Sequence, residues 1–406
     1  MKIVGIIAEF NPFHNGHKYL IEQAKKITDA DNVVVICSGN YVQRGMPSIF
    51  DKSERVRMAL HNGADAVFEL PVFYSTASAE LFARASIKFL SDLNCIDYLC
   101  FGCETNDIAA LTEIAGILSE EPEEYKMYLD SYLKSGSSFP KARKNAFTEY
   151  CKSNGLLQEN LFDSIMTQPN NILAIEYLKA LKHFNSAVRP VPVKRMGAGY
   201  DSLNLNTQYA SATGIRNQLV SRGSIQNLVP DNCIKIIQNT SPIMTGDFNT
   251  VLGYKLLSTK KFDQYFDVSS ELSNRINNYK SDFIDIDDFI KKLQSKNFTY
   301  SGISRALFHI LLDIKKSDVR SFIDNGYLNY ARLLGFNHES KILSLVKEKS
   351  RLNIIGKLSS YYNNCMETDK KMLDLCIYAD ELYRMIYMNK YKKDIPTEFE
   401  RQIEIY

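Results

Sequence analysis

The apolar positions of the first hundred residues fall into short continuous runs, separated by stretches with helical periodicity. Residues 2–8, 32–37 (with Val33-Val34-Val35-Ile36 at the centre), 66–70 and 97–101 are such runs. Their lack of polar alternation is the mark of strands covered on both faces. Residues 17–26, 53–61 and 78–93 carry their apolar positions at helical spacing. Asp51 precedes the second of these as a predicted N-cap, and Gly63 follows it where a helix is commonly stopped. Strand and helix in alternation predict an α/β fold with a Rossmann-like parallel sheet and crossover helices. In such sheets a ligand sits outside the carboxyl ends of the strands.

From about residue 106 to 160 the pattern turns helical and charged, which predicts a helical insertion. The α/β pattern resumes with a helix at 171–182, a strand at 187–194 interrupted by Pro190 and Pro192, and a helix opening at 213. After about residue 247 the pattern is helical with little strand signal. The expected division is a catalytic domain over 1–245 and an α-helical C-terminal region over 246–406, in keeping with roughly 100–200 residues per domain.

Composition changes this picture little. Hydrophobic residues are 45% and charged residues 24%, ordinary for a chain with real cores, and the formal net charge of +2 does not suggest a general coating of nucleic acid. The eight Cys are scattered rather than packed into a disulfide framework. The apolar start is too short for a signal peptide, and no run approaches the ~20 residues of a membrane span. A reduced, cytoplasmic protein without membrane contact is expected. Cys100 and Cys103 lack a second pair nearby, so no protein-bound zinc or other metal site is predicted. His61, His183, His309 and His338 are isolated and read as structural or surface residues.

Candidate chemistry gathers at the predicted strand ends. Between the first strand and first helix runs Ile7-Ala8-Glu9-Phe10-Asn11-Pro12-Phe13-His14-Asn15-Gly16-His17-Lys18-Tyr19-Leu20. Asn11-Pro12 makes a turn, Gly16 allows a close backbone approach, and His14 and His17 face one bound group from a helix start. Such a start offers N–H groups and a partial positive charge to phosphate. Imidazoles there can donate to oxygens that gain charge in a transition state, so both His are predicted to be catalytic. Ser211, Thr213 and Arg216 stand at a second helix start, with two hydroxyls and a guanidinium suited to phosphate. Ser38, Gly39, Asn40, Gln43 and Arg44, after the second strand, read as a substrate loop; Asn170 and Asn171 precede a helix and offer amides to a base or ribose.

Together these residues resemble the HIGH-motif nucleotidyltransferases, without the Lys-Met-Ser-Lys-Ser loop of class I aminoacyl-tRNA synthetases. With Ser38 to Pro47, Pro169 to Leu173 and Lys194-Arg195, the match is closer, to the bacterial tRNA(Met) cytidine acetate ligase family. That resemblance implies ATP-dependent activation of acetate as acetyl-adenylate, with release of pyrophosphate. The acetyl group then passes to the wobble cytidine in the anticodon loop of elongator tRNA(Met), giving N4-acetylcytidine. It also implies an ATP site made of residues 7–20, Gly102, one of Asn170 and Asn171, and Arg195 with Met196. Mg²⁺ is expected with the phosphates. Met46 and Ala174 depart from the family pattern, which has an acid and a Gly there. Two other classes share the His pair. A cofactor-type nucleotidyltransferase needs no long helical tail, and a non-catalytic RNA-binding protein needs no intact His14 and His17.

Overall fold

Every position of the run Val33 to Ile36 is fully buried, as a strand covered on both faces requires. The computed structural model describes residues 1–137, 139–156, 159–196 and 209–406. Gln158, near the predicted end of the insertion, lies outside the described residues. The chain forms β1 (Ile3–Ala8), β2 (Asn32–Ser38), a small hairpin of β3 (Tyr41–Val42) and β4 (Met46–Pro47), β5 (Ala66–Leu70), β6 (Tyr98–Cys103) and β7 (Arg189–Lys194). The main sheet continues with β8 (Tyr330–Phe336), β9 (Asn353–Ile355) and β10 (Glu404–Ile405), in the order β10-β8-β5-β2-β1-β6-β7, with β9 also on β8. All its pairings are parallel except β5 with β8.

The helices that frame the strand ends are α1 (Asn15–Thr28), α2 (Lys52–Leu60), α3 (Val72–Ser75) and α4 (Ala79–Asp92). The insertion supplies α5 (Ile108–Glu120), α6 (Glu123–Lys134), α7 (Phe139–Ser153) and α8 (Glu159–Met166), and α9 (Pro169–His183) and α10 (Ala212–Val220) follow. Asp51 caps α2 by accepting the Ser53 N–H at 2.9 Å, and Gly63 takes φ +98 just beyond it. The pleat divides the sheet cleanly. Val4, Ile6, Val33 and Val35 pack with residues of α1, α2 and α10, whereas Ile3, Val34, Ile36 and Phe101 pack with α4 and α9.

The α/β class with a helical insertion is as expected, and the differences are local. The first helix begins at Asn15, two residues before the predicted start, because His14 caps it. The fourth strand runs on to Cys103, paired with β7 to its end. The stretch after residue 247 is largely helical but also adds three strands to the main sheet. β8 escaped the pattern because Arg332 interrupts its apolar run, and that Arg is buried only because Glu69 and Glu398 receive it. No described helix is long and apolar enough to cross a membrane.

Candidate active site

Leaving β1, the backbone turns through Phe10, which takes φ 50, and enters α1 at His14. The His14 imidazole Nδ1 accepts the Gly16 N–H at 3.0 Å, and the His14 N–H in turn donates to His17 Nδ1 at 3.2 Å. The arrangement is a capping box in which both usual side chains are replaced by imidazoles. The two rings stack at 3.8 Å between centroids, and Phe10 and Phe13 enclose His17 at 5.0 and 5.5 Å. A ring nitrogen that accepts a backbone N–H carries no proton, so each neutral imidazole holds its proton on Nε2. Burial, then the positive charges of Arg195 and Arg216, push the His14 pKa down to about 3. Burial, then His14 and Arg195, hold His17 well below the usual range. The pair is therefore neutral at pH 7, with one Nε2–H per ring available to a ligand.

This geometry corrects one expectation and gives another its cause. The first-turn amides of α1 are already engaged: Asn15 N–H by Leu228 O at 3.2 Å, Gly16 N–H by His14, and the His17 and Lys18 N–H groups by His14 O at 2.8 and 3.2 Å. The imidazoles, not free amides, are what the helix start presents. Gly16 is required by the cap itself, since a Cβ there would lie 2.9 Å from the His14 ring.

Opposite stands α10. Ser211 caps it, accepting Gly214 N–H at 3.1 Å. Arg216 donates to Asn11 O at 2.8 Å and to Thr213 Oγ1 at 3.0 Å, and so ties the two helix starts together. Between them opens a cavity of about 200 Å³. Of the residues expected to bind ATP, Ile7, Ala8, Glu9, Phe10, Asn11, His14, Gly16, His17, Tyr19, Leu20, Gly102, Asn170, Arg195, Met196, Ser211, Thr213 and Arg216 line it. Pro12, Phe13, Asn15, Lys18 and Asn171 do not. Phe13 buttresses His17, Asn15 Nδ2 reaches Asn227 O at 2.7 Å, and Lys18 faces Glu22 at 4.0 Å.

Residues 1–398 match the HIGH Nucleotidyl Transferase family model. The tRNA(Met) cytidine acetate ligase of Thermoanaerobacter sp. (strain X514) is 40% identical over 399 residues, 96% of each chain. That of Caldanaerobacter subterraneus subsp. tengcongensis is 41% identical over 397 residues, again 96% of each. The chain belongs to the tRNA(Met) cytidine acetate ligase family. The crystal structure of apo Thermotoga maritima TmcAL (form I) superposes with a TM-score of 0.94 at 29% identity, covering 100% of this chain and 99% of that one. A second form, bound with alpha-thio ATP, gives 0.91 with the same identity and coverage.

Within this family member the two Asn separate. Asn170 Nδ2 donates to Glu104 Oε1 at 2.6 Å, while Asn171 N–H donates to Glu104 Oε2 at 2.9 Å. Asn171 Oδ1 turns inward and accepts the Glu104 and Thr105 N–H groups at 2.9 and 3.2 Å. Asn170 is thus the member of the pair on the cavity wall, with its amide nitrogen committed to Glu104 and its oxygen left for a ligand. The predicted substrate loop is instead a buried hairpin. Arg55 grips it from below through Ser38 O at 3.0 Å and through Gly39 O. Asn40 bridges Asp51 at 3.3 Å and Asp380 at 2.9 Å. Of the five residues only Gln43 lines the cavity; Ser38, Gly39, Asn40 and Arg44 do not. Phe82, Phe101, Tyr177 and Tyr209 also line it and were not anticipated, because in sequence they look like any aromatic on an apolar face.

Cys100 and Cys103 are buried and free, with pKa values pushed up to about 12 by burial. Among the described residues, one group of acids has metal-like spacing: Glu69, Asp380 and Glu398. The Lys52 ammonium already sits among them, at 2.6, 2.7 and 2.8 Å. His309 is fully buried and bridges Thr76 and Phe266 O at 3.1 and 3.2 Å, a structural role.

Proposed function

We propose that this protein adenylylates acetate with ATP and transfers the acetyl group to the wobble cytidine in the anticodon loop of elongator tRNA(Met). The stacked, neutral His14–His17 pair facing Arg216 across one cavity is the observation that carries this reading. Acetate is a poor acyl donor because its oxide leaves badly. Attack of an acetate oxygen on the α-phosphate forms the mixed anhydride, and pyrophosphate departs. The protein's part is positioning and charge stabilisation. The two Nε2–H donors, Thr213, Ser211, Arg195 and Arg216 surround the place where that charge develops. Donors that are neutral and fixed by backbone hydrogen bonds need no reorganisation at the moment of reaction. The cytidine N4 amine then attacks the acetyl carbonyl, AMP leaves, and N4-acetylcytidine results.

Mg²⁺ fits as a passenger of the nucleotide. Glu9 is the one carboxylate on the described cavity wall, so the ion would be held mainly by phosphate oxygens and water, and would supply charge neutralisation. The reading places the protein in the cytoplasm with its tRNA substrate, and assigns tRNA contact to the insertion (about 106–160) and the region 246–406. Charge reversal of exposed Lys and Arg there is expected to weaken tRNA binding at low salt. The deciding experiment is ATP–pyrophosphate exchange with and without acetate, in the presence of tRNA, followed by nucleoside analysis. Acetate-dependent exchange and N4-acetylcytidine are expected. Exchange that depends instead on a phosphorylated small molecule would move the protein to the cofactor-forming enzymes, and RNA binding without exchange would make it non-catalytic.

A further inference from the structure

We propose that the cavity has a second half, on the opposite face of the sheet from the His pair, and that this half, formed by Tyr177, Phe82, Phe101, Ile7 and Glu9, is the subsite for the short carboxylate. The inference rests on the proposed acetate activation and adds where the acetate sits and what limits its size.

The pleat supplies the geometry. Along β1, Val4, Ile6 and Ala8 face the layer of α1 and α10, while Ile3 and Ile7 face the layer of α4 and α9. Along β6, Cys100 faces the first layer, and Leu99 and Phe101 the second. The cavity is lined from both layers: His14, His17 and Arg216 on one side, Ile7, Phe82, Phe101 and Tyr177 on the other. It therefore passes over the carboxyl ends of β1 and β6. The groups suited to phosphate stand on one side, and the aromatic side, beyond the Asn170 end of α9, is where we place the nucleophile.

Tyr177 is only 2% exposed, and its hydroxyl has no hydrogen-bond partner among the described residues. A hydroxyl on a cavity wall with no protein partner is free to bond a ligand. Its ring lies 5.8 Å from that of Phe101, and Phe82 and Phe101 are themselves buried. Beside it stands Glu9. One oxygen, Oε1, accepts the Gln43 N–H at 2.7 Å, and Oε2 has no partner among the described residues. Burial, then the nearby Glu9, push the Tyr177 hydroxyl upward, so it stays a donor. Burial also raises Glu9, despite the Gln43 N–H and the charges of Arg216, Arg44 and Arg55. A second carboxylate beside it would raise one of the pair further, and the two could then share a proton. Acetate would thus be held by the Tyr177 O–H, with its carboxylate beside Glu9 and its methyl against Phe82 and Phe101.

The test is acetate-dependent ATP–pyrophosphate exchange, with tRNA present, for wild type, Tyr177→Phe and Phe82→Leu, using formate, acetate, propionate and butyrate. ATP affinity is measured by direct titration of each protein, which also verifies folding. Tyr177→Phe is expected to raise the KM for acetate about 10- to 100-fold, the usual worth of a hydrogen bond to a charged group, with ATP affinity unchanged. Phe82→Leu is expected to shift the kcat/KM preference toward propionate or butyrate by about 10-fold. If both variants bind ATP normally and keep the wild-type acetate KM and chain-length preference, the subsite is elsewhere while acetate activation stands. If wild type shows no acetate-dependent exchange although it binds ATP, the acetate reading falls and the subsite with it.

Discussion

At the scale of single residues, the His pair does two jobs that mutation can separate. His14 caps α1 through Nδ1 and offers Nε2–H to the cavity. His14→Asn keeps a good cap, so stability should hold while the adenylylation rate falls by about 10²–10³. His17→Ala should cost a similar factor, and single-turnover adenylate formation beside thermal unfolding checks both. Protonation adds a sign. Between about 3 and the ordinary 6.5, the unfolded chain binds a proton at His14 that the folded protein refuses. Stability therefore falls as pH drops through that window, and His14→Asn should flatten part of the slope in urea midpoints measured against pH. Glu104 gives a third residue-scale outcome. Because it fixes the Asn170 amide, Glu104→Gln should let that amide turn its nitrogen to the cavity. The KM for ATP is then expected to rise about 10-fold with kcat nearly unchanged, read by steady-state kinetics. The sequence held the types and spacing of these residues. It did not hold which nitrogen bears the proton, or that a Cβ at position 16 would meet the His14 ring. Those facts depend on side chains folding back on their own backbone.

At the scale of elements, the β3–β4 hairpin explains why a segment that reads as a substrate loop is buried. Gly45 takes φ +68, and a Cβ there would come within 2.4 Å of the Arg305 backbone. Its carbonyl accepts the Ser304 Oγ–H at 2.6 Å. Gly45→Ala should therefore cost about 2 kcal/mol or more from the clash and the left-handed backbone together. ATP affinity should change little, because Gly45 is not on the cavity wall; urea unfolding and nucleotide titration separate the two effects. The main-sheet strands and the three longer helices of the first hundred residues were legible because each is an apolar run or an amphipathic stripe bounded by Pro, Gly or a cap; the single turn of α3 was not. The hairpin was not, because its two-residue strands are too short for any period, and its burial comes from a partner more than 250 positions away in the chain.

At the scale of the whole molecule, the first and last thirds meet in a buried charge cluster that no local pattern announces. Lys52 contacts Glu69, Asp380 and Glu398; Arg332 contacts Glu69 and Glu398; Arg401 contacts Asp51 and Glu398. The acids Asp51, Glu69, Asp380 and Glu398 outnumber the bases Lys52, Arg332 and Arg401 by one. The surplus falls on Asp380, whose pKa burial and then the Glu398 charge push up to about 7. Burial also opposes ionisation of Glu398, but Arg332, Lys52 and Arg401 hold it below the usual carboxylate range. A charge cluster of this kind is not a net source of stability over an apolar core, yet removing one member leaves others unpaired in the interior. Lys52→Met is expected to cost about 3–5 kcal/mol, read as a lower urea midpoint with little change in slope. The loss should be smaller at pH 5 than at pH 8. Without the ammonium, Asp380 is left among carboxylates and takes up a proton more readily still, which removes one of the stranded charges. An equal cost at both values would mean that packing around Lys52, not its charge, holds the C-terminal strands against β5.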